Sequence, residues 1–390
     1  MPALSKDQKT ALDHILEWYR KDRGSMQYVT LGGYAGTGKT TLIAVIRREL
    51  AKIDPGLKVG FVSFTGKAAR VLQTKIKEAE VLYRQDSVGT IHSLIYTPIL
   101  NAKEEIVGWK TKDEIDRNLI IVDEGSMVDQ TIWEHLISYR VPMIVVGDHG
   151  QLPPIKGNFT LMQTPHVKLE EIHRQARKNP IISLSISARK TGEIVPGRYS
   201  GTVIKYSGDD AETGEVMQEM LTNYRSETLI LCGYNKTRKK LNAYIRAALG
   251  FETPTPEIGD RVICLRNNHR AKIYNGMLGT IKKILRMNDR SYAADIEIDG
   301  ENEMYSGLIA ADQFDADTAL NFTEDRARYH GIDLFDFGYA LTVHKAQGSQ
   351  ARRVILFEER FSKMTDDQWR RWLYTAVTRA EEELYIFPHL

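Results

Sequence analysis

Only two of the 390 residues are cysteine, Cys232 and Cys264. Each sits in its own strand-like apolar run with no CxxC spacing, which argues against a disulfide framework and against a cysteine-based zinc or iron–sulfur centre. Long apolar runs are missing too. None approaches the ~18 residues of a membrane-spanning helix, and the opening MPALSKDQKT carries no apolar leader. Charge of one sign is scarce: 53 Lys and Arg against 51 Asp and Glu leave a net charge of +2. Bulk charge therefore does not mark a nucleic-acid binder, and any such surface has to be local. Local basic clusters do occur, in KTRKKLNAYIR (236–246), RNNHRAK (266–272) and KKILR (282–286). Charge alone favours reading them as solvated helix faces or loops. Repeats and low-complexity segments are absent. The expected compartment is a reducing one, the cytosol.

What is present is enough apolar residue for real cores, 42% of the chain. At ~150 residues per domain the length predicts two or three domains. YVTL (28–31), VGFVSF (59–64), LIIVD (119–123) and MIVVGD (143–148) alternate with helical patterns such as 66–77 and 130–138. Near-continuous apolar strands with intervening helices predict an α/β domain whose parallel sheet is covered on both faces. The pattern resumes with TLILCGY (228–234) and a helix carrying Leu241, Tyr244, Ile245, Ala248 and Leu249 on one face. RRVILFEE (352–359), a helix at about 366–378 and ELYIF (383–387) complete a second set. Between roughly 258 and 335 the texture changes to short strands with Gly, Asn and Asp turns, which predicts a small β-barrel inserted into the second α/β domain.

The stretch VTLGGYAGTGKTTLIAVI (29–46) places a glycine-rich turn between a strand and a helix. Bare glycines let backbone N–H groups close around an anion, and the helix N-terminus adds its positive dipole end. The spacing Gly33-x-x-x-x-Gly38-Lys39-Thr40 is that of a P-loop. Gly33, Gly36, Thr37, Gly38, Lys39, Thr40 and Thr41 are thus the nucleotide-binding candidates. Lys39 is assigned to the β- and γ-phosphates, and Thr40 to Mg²⁺. LIIVDEGSM (119–127) brings Asp123 and Glu124 to a strand end. Alone, such a pair is an ordinary helix N-cap; beside a P-loop, one carboxylate serves the Mg²⁺ shell and its neighbour orients and deprotonates water. In VVGDHGQLPPI (145–155), Asp148 and Gln151 fit either a γ-phosphate sensor or a plain Gly/Pro turn. Arg174 and Arg379 are isolated arginines; spacing alone assigns them nothing beyond surface charge.

In order and wording these motifs resemble the superfamily 1 helicases, specifically the RecD-like and Dda-like branch. Gln8 in LSKDQKTAL is similar to the adenine-reading Q motif. GGYAGTGKTT resembles motif I, VSFTGKAARVL (62–72) motif Ia, and TIHSLI (90–95) the short motif after it. DEGSM, GDHGQLPPI, HRQ, YALTVHKAQGSQ (339–350) and YTAVTRA resemble motifs II to VI. Two departures stand out: Gly125 replaces a small residue with a side chain, and His173 replaces a common tyrosine. The resemblance implies two RecA-like domains: 1–159, with a hairpin insertion at about 96–117, and 160–257 with 336–390. An inserted Src-homology-3-like barrel at 258–335 completes the expected fold.

It further implies ATP and Mg²⁺ as cofactors, with Gln151 sensing the γ-phosphate. Arg174 and Arg379 serve across the cleft, and Gln347 and Gly348 join the nucleotide site. Phe64, Thr65, Lys67, His92, Thr342, His344 and Lys345 are the implied DNA contacts, with Phe64 suited to base stacking. Trp109 is the one tryptophan in the hairpin, where it serves either as a stacking face for the last base pair or as an anchor. The implied activity is 5′-to-3′ translocation on single-stranded DNA with unwinding of duplex at a junction. The implied setting is a monomeric motor in the cytosol of a bacterium or a phage-infected host, open to replication or recombination partners and away from membranes. Rival readings are the motor subunit of a helicase–nuclease complex, a P-loop switch ATPase, and an RNA helicase of the same superfamily.

Overall fold

The computed structural model describes residues 4–100, 106–154, 159–172, 179–268, 270–317, 320, 329 and 331–389. It divides into two compact units, Met1–Ser183 and Leu184–Leu390. Among the described residues no helix is long and apolar enough to cross a membrane.

In the first unit, α1 (Lys6–Glu17) starts at a capping box in which Ser5 and Gln8 satisfy each other's backbone N–H groups. Then come β1 (Tyr28–Gly33), α2 (Lys39–Ile53), β2 (Val59–Ser63), α3 (Gly66–Glu78), β3 (Ser87–Thr90), α4 (Ile91–Ile95), β4 (Tyr96–Leu100) and β5 (Ile106–Thr111). After them follow β6 (Leu119–Asp123), α5 (Gln130–Ser138), β7 (Met143–Gly147) and β8 (Val167–Leu169). Six strands form one parallel sheet in the order β3-β2-β6-β7-β1-β8. Its apolar strands bury both faces. One core holds Leu31, Ile43, Phe61, Ile121 and Val146, and the other Val62, Ile120, Val122, Trp133 and Val145. β8 pairs with β1, so the first unit runs past the expected boundary at 159. β4 and β5 pair antiparallel as a separate two-stranded ribbon, with Tyr96 opposite Thr111 and Pro98 opposite Trp109. Their connection, NAKEE, lies outside the described residues.

A buried ion pair ties α2 to the loop before β3. Arg47 donates from Nε to Asp86 Oδ2 at 2.9 Å and from its terminal nitrogen to Oδ1 at 3.1 Å. Asp86 also accepts the N–H groups of Val59 and Tyr83 at 3.0 and 3.1 Å. Breaking such a pair leaves a charge stranded out of water. Asp86→Ala is therefore expected to cost about 3–5 kcal/mol of stability, read from urea unfolding. A loss below about 1 kcal/mol, the worth of an exposed pair, refutes that role.

The second unit comprises α6 (Pro180–Thr191, entered from the first), β9 (Gly197–Arg198), β10 (Val203–Lys205), α7 (Glu212–Thr222), β11 (Thr228–Cys232) and α8 (Asn235–Ala248). The strands β12 (Arg261–Cys264), β13 (Leu278–Asn288), β14 (Ser291–Ile298), β15 (Tyr305–Ala310) and β16 (Phe335–Phe337) follow. β17 (Ala340–Thr342), β18 (Ala351–Phe357), α9 (Asp366–Val377) and β19 (Ala380–Phe387) close it. The α/β sheet has the order β17-β11-β18-β19-β10-β9, parallel except for β9. Between β11 and β17 the chain makes a five-stranded antiparallel sheet, β15-β14-β13-β12-β16, with its own core around Val262, Ile281, Ile296 and Phe335. Where a barrel is expected, this sheet has an open strand order, and an isolated bridge from Ile309 to Asp333 leads back toward β16.

The apolar face expected for α8 is corrected by the structure. Leu241 and Ile245 are buried, but Tyr244, Ala248 and Leu249 are exposed. Arg238, Asn242 and Arg246 are buried in their place, because acidic and backbone partners await them.

Candidate nucleotide site and nucleic-acid edge

All strands of the first sheet run in parallel, so their C-terminal ends share one edge, where α/β sheets build their sites. Read along that edge in strand order, β3 leads to His92, β2 to Phe64, Thr65 and Lys67, β6 to Asp123 and Glu124, β7 to Asp148 and Gln151, and β1 to the P-loop.

The P-loop leaves β1 at Gly33 and enters α2 at Lys39. Gly36 and Gly38 take φ values of 79° and 75°, the left-handed region that side chains avoid. Gly33 has no room for a Cβ, which would stand 2.7 Å from Thr37 Oγ1 and 2.9 Å from Lys39 Cγ. The Lys39 ammonium donates to the carbonyls of Gly33 and Tyr34 at 2.8 and 3.1 Å and lies 3.9 Å from Asp148 Oδ2. Thr40 and Thr41 occupy the first turn of α2. Gln8 is sealed from solvent, and its Nε2 donates to the Thr37 carbonyl at 3.0 Å. This residue, an adenine reader by resemblance, thus ties α1 to the phosphate loop.

Asp123 ends β6, and its Oδ1 accepts the N–H of Glu124 at 2.9 Å. Burial, followed by the neighbouring Glu124 charge, pushes the Asp123 carboxyl up, and the Lys39 charge partly offsets both. Glu124 sits in the left-handed region at φ 56°, a conformation a non-glycine residue rarely keeps unless its surroundings enforce it. Those surroundings are visible. A Cβ on Gly125 would meet Val145 Cγ1 at 2.5 Å, and one on Gly147 would meet the Ser126 and Gly125 nitrogens at 3.0 and 3.2 Å. The glycine that departs from the usual motif II wording is therefore required here, because the ends of β6 and β7 touch backbone to backbone.

At the end of β7, buried Asp148 accepts the Gly150 N–H at 2.9 Å and the Gln151 side-chain amide at 3.4 Å. Lys39, Asp148 and Gln151 are thus brought together, although they come from different stretches of chain. Sequence reading passed over His149, whose ring lies 4.1 Å from that of Tyr34 in the P-loop. The only available signal was a histidine inside a strand-end Gly-Asp-His-Gly.

Farther along the edge, Thr65 caps α3 by accepting the Ala68 N–H at 3.2 Å. Lys67 is partly exposed one residue into that helix. Rings connect Phe64 to His92 (6.0 Å), His92 to Tyr96 (5.6 Å) and Tyr96 to His135 (5.6 Å). This aromatic file leads from β2 to the start of the β4–β5 ribbon, where Trp109 is 43% exposed.

In the second unit, Thr342 ends β17, and its hydroxyl accepts the Lys345 N–H at 3.4 Å. Burial lowers the pKa values of His344 and Lys345, and Arg238 adds to the effect on Lys345. The chain then crosses to the opposite edge of the sheet. Gln347 is buried there, Gly348 takes φ 74°, and the Ser349 carbonyl accepts Arg379 at 3.0 Å. Arg379 also donates to the Thr375 carbonyl and the Thr378 hydroxyl at 3.0 and 3.1 Å, which holds its guanidinium buried at the start of β19. Arg174 lies outside the described residues.

Comparison with known proteins gives two family matches: an AAA domain over residues 3–195 and a UvrD-like helicase C-terminal domain over 337–387. The chain is 29% identical to the ATP-dependent RecD2 DNA helicase of Deinococcus radiodurans, over 98% of this chain and 48% of that protein. It is 26% identical to the ATP-dependent DNA helicase dda of Enterobacteria phage T4, over 98% of both. It therefore spans about half the length of the RecD2 relative and nearly all of dda. Its fold is similar to that of the Pif1 helicase from Bacteroides in complex with ADP-AlF3 and ssDNA, with a TM-score of 0.56 and 15% identity over 99% of this chain and 92% of that one. The P-loop edge, the ordered motifs and these matches together make the chain similar to the superfamily 1 helicases, with RecD-like and Dda-like proteins among its relatives.

Proposed function

We propose that this chain is an ATP-driven motor that moves 5′-to-3′ along single-stranded DNA and separates duplex ahead of it. The observation that carries the reading is the order along the first sheet's edge: the P-loop and Asp148–Gln151 at one end, Asp123–Glu124 in the middle, and Phe64, Thr65, Lys67 and His92 beyond. A change at the phosphates has a short path, through β6, to the residues suited to DNA. The likeness to RecD2 and dda supports the same activity and the direction.

In this reading the P-loop backbone and Lys39 hold the phosphates, and Gln151 orients beside Asp148. Glu124 takes the proton of the attacking water. Thr40 and Asp123 are hard oxygen donors that fit Mg²⁺. The raised Asp123 carboxyl is what burial beside a second acid produces, and a bound cation there would relieve it. When bound, Mg²⁺ neutralises charge developing on the phosphates. Arg379 and Arg174 stabilise that charge from the second set of motifs. Thr342, His344 and Lys345 grip DNA phosphates, so recognition is largely indifferent to sequence, as a motor requires. We assign the motor to the cytosol, acting as a monomer at junctions of duplex and single strand.

The test is ATP turnover with and without single-stranded DNA, together with unwinding of duplexes bearing a 5′ or a 3′ tail. Strong stimulation that falls with salt, and opening from the 5′ tail, are expected. Equal basal and DNA-stimulated rates support a switch ATPase instead, and opening only from a 3′ tail overturns the direction. Trp109→Ala is expected to reduce unwinding of the 5′-tailed duplex several-fold while sparing DNA-stimulated ATPase, since a stacking face offsets about 1–3 kcal/mol per unstacked base. Loss of both activities assigns Trp109 to anchoring the ribbon.

A further inference from the structure

The five-stranded sheet passes directly into the motor sheet of its own unit where β16 runs into β17. β16 belongs to the inserted sheet, where Phe337 pairs with Val262. β17 belongs to the motor sheet, where Ala340 pairs with Ile230. Only Gly338 and Tyr339 separate them, and two residues past Ala340 the chain reaches the Thr342–Lys345 loop. A Cβ on Gly338 would stand 2.7 Å from the Val262 carbonyl carbon, so the crossing is pressed against β12.

Helix α8 meets this crossing with three buried polar residues at i, i+4 and i+8, which one helix face stacks in a row. Arg238 donates to Asp336 Oδ2 at 2.9 Å, and Asp336 Oδ1 in turn accepts the Phe337 N–H at 2.8 Å. Asn242 accepts the Ala340 N–H at 2.8 Å and donates to the Phe337 carbonyl at 3.4 Å, one backbone group from each sheet. Arg246 grips Asp260 with two bonds of 2.8 and 3.0 Å, and Asp260 also accepts the Tyr339 hydroxyl at 2.8 Å. Entry to the inserted sheet, at Asp260, and exit from it, at Asp336–Ala340, are thus fastened to one helix. Such bonds are directional, and buried groups left without them are costly. The crossing therefore has one defined geometry, where apolar contacts alone would let it slide.

We infer that the Arg238–Asn242–Arg246 ladder is a positioning device. It sets the Thr342–His344–Lys345 loop relative to the inserted sheet, and so couples DNA held by that loop to ATP turnover. Asn242, which touches neither nucleotide nor DNA in this reading, is its central rung. The inference rests on the proposed DNA-stimulated motor activity.

The experiment compares the parent protein with Asn242→Ala and Asn242→Asp. ATP turnover is measured without DNA and across a titration of oligo(dT), with thermal unfolding alongside. Asn242→Ala is expected to keep DNA-free turnover and to raise the oligo(dT) concentration for half-maximal stimulation about ten-fold, in the range of typical coupling between sites. Asn242→Asp keeps an acceptor for the Ala340 N–H and is expected to recover most of that loss; it also carries the test if the alanine variant does not fold. A shift in melting temperature with the parent's half-maximal concentration in both variants overturns the inference. Absence of stimulation in the parent overturns the motor reading instead.

Discussion

Lys39→Ala is expected to lower ATP turnover by at least about 10²–10³-fold while the protein stays folded, because a charge aimed at the transferring phosphoryl group is lost. The geometry explains both halves. The Lys39 ammonium is held at the loop by the Gly33 and Tyr34 carbonyls and by the Asp148 carboxylate 3.9 Å away. Its side chain is partly exposed and anchors no core, so a melting temperature near the parent's is the control. Glu124→Gln separates binding from chemistry in the same site. It keeps the side-chain shape but cannot take a proton, so nucleotide affinity persists while turnover falls about 10²–10⁴-fold. Fluorescent-nucleotide binding and phosphate release measure the two quantities. Near-parental turnover in Glu124→Gln removes Glu124 from the role of base.

Arg379→Ala is expected to lower kcat by about 10³-fold or more with a much smaller change in KM, the signature of an arginine that acts on transition-state charge. Its burial complicates a simple deletion. The guanidinium serves the Thr375 and Ser349 carbonyls, and alanine takes a donor from each, although Thr375 keeps the Thr378 hydroxyl. Arg379→Lys is the needed companion: it keeps a positive charge but not the planar fork. Steady-state kinetics and a melting curve on both variants decide the matter. A large kcat loss at parental melting temperature in the lysine variant supports the catalytic role. Unchanged kcat in either folded variant reduces Arg379 to a brace between α9 and the Gln347–Gly348–Ser349 turn.

Much of this molecule was legible locally. The P-loop could be read from eight residues because its requirement is local: a strand end, glycines free to take φ values of 79° and 75°, and a helix start that supplies N–H groups. The parallel sheets were legible for a similar reason, since a strand buried on both faces must be apolar throughout, as LIIV and MIVVG are. The motif order then carried the family.

Contacts between distant stretches were out of reach. Nothing near Gly125 announces that Val145 and Val146 leave no room for a side chain, and nothing near Gln8 points to the Thr37 carbonyl. The cluster KTRKKLNAYIR reads as a solvated basic face, yet Arg238, Asn242 and Arg246 are buried. Their partners Asp336 and Asp260 lie 98 and 14 residues away. Charge pattern and periodicity report how a helix faces water, and only the tertiary fold delivers the carboxylates that make burying an arginine favourable.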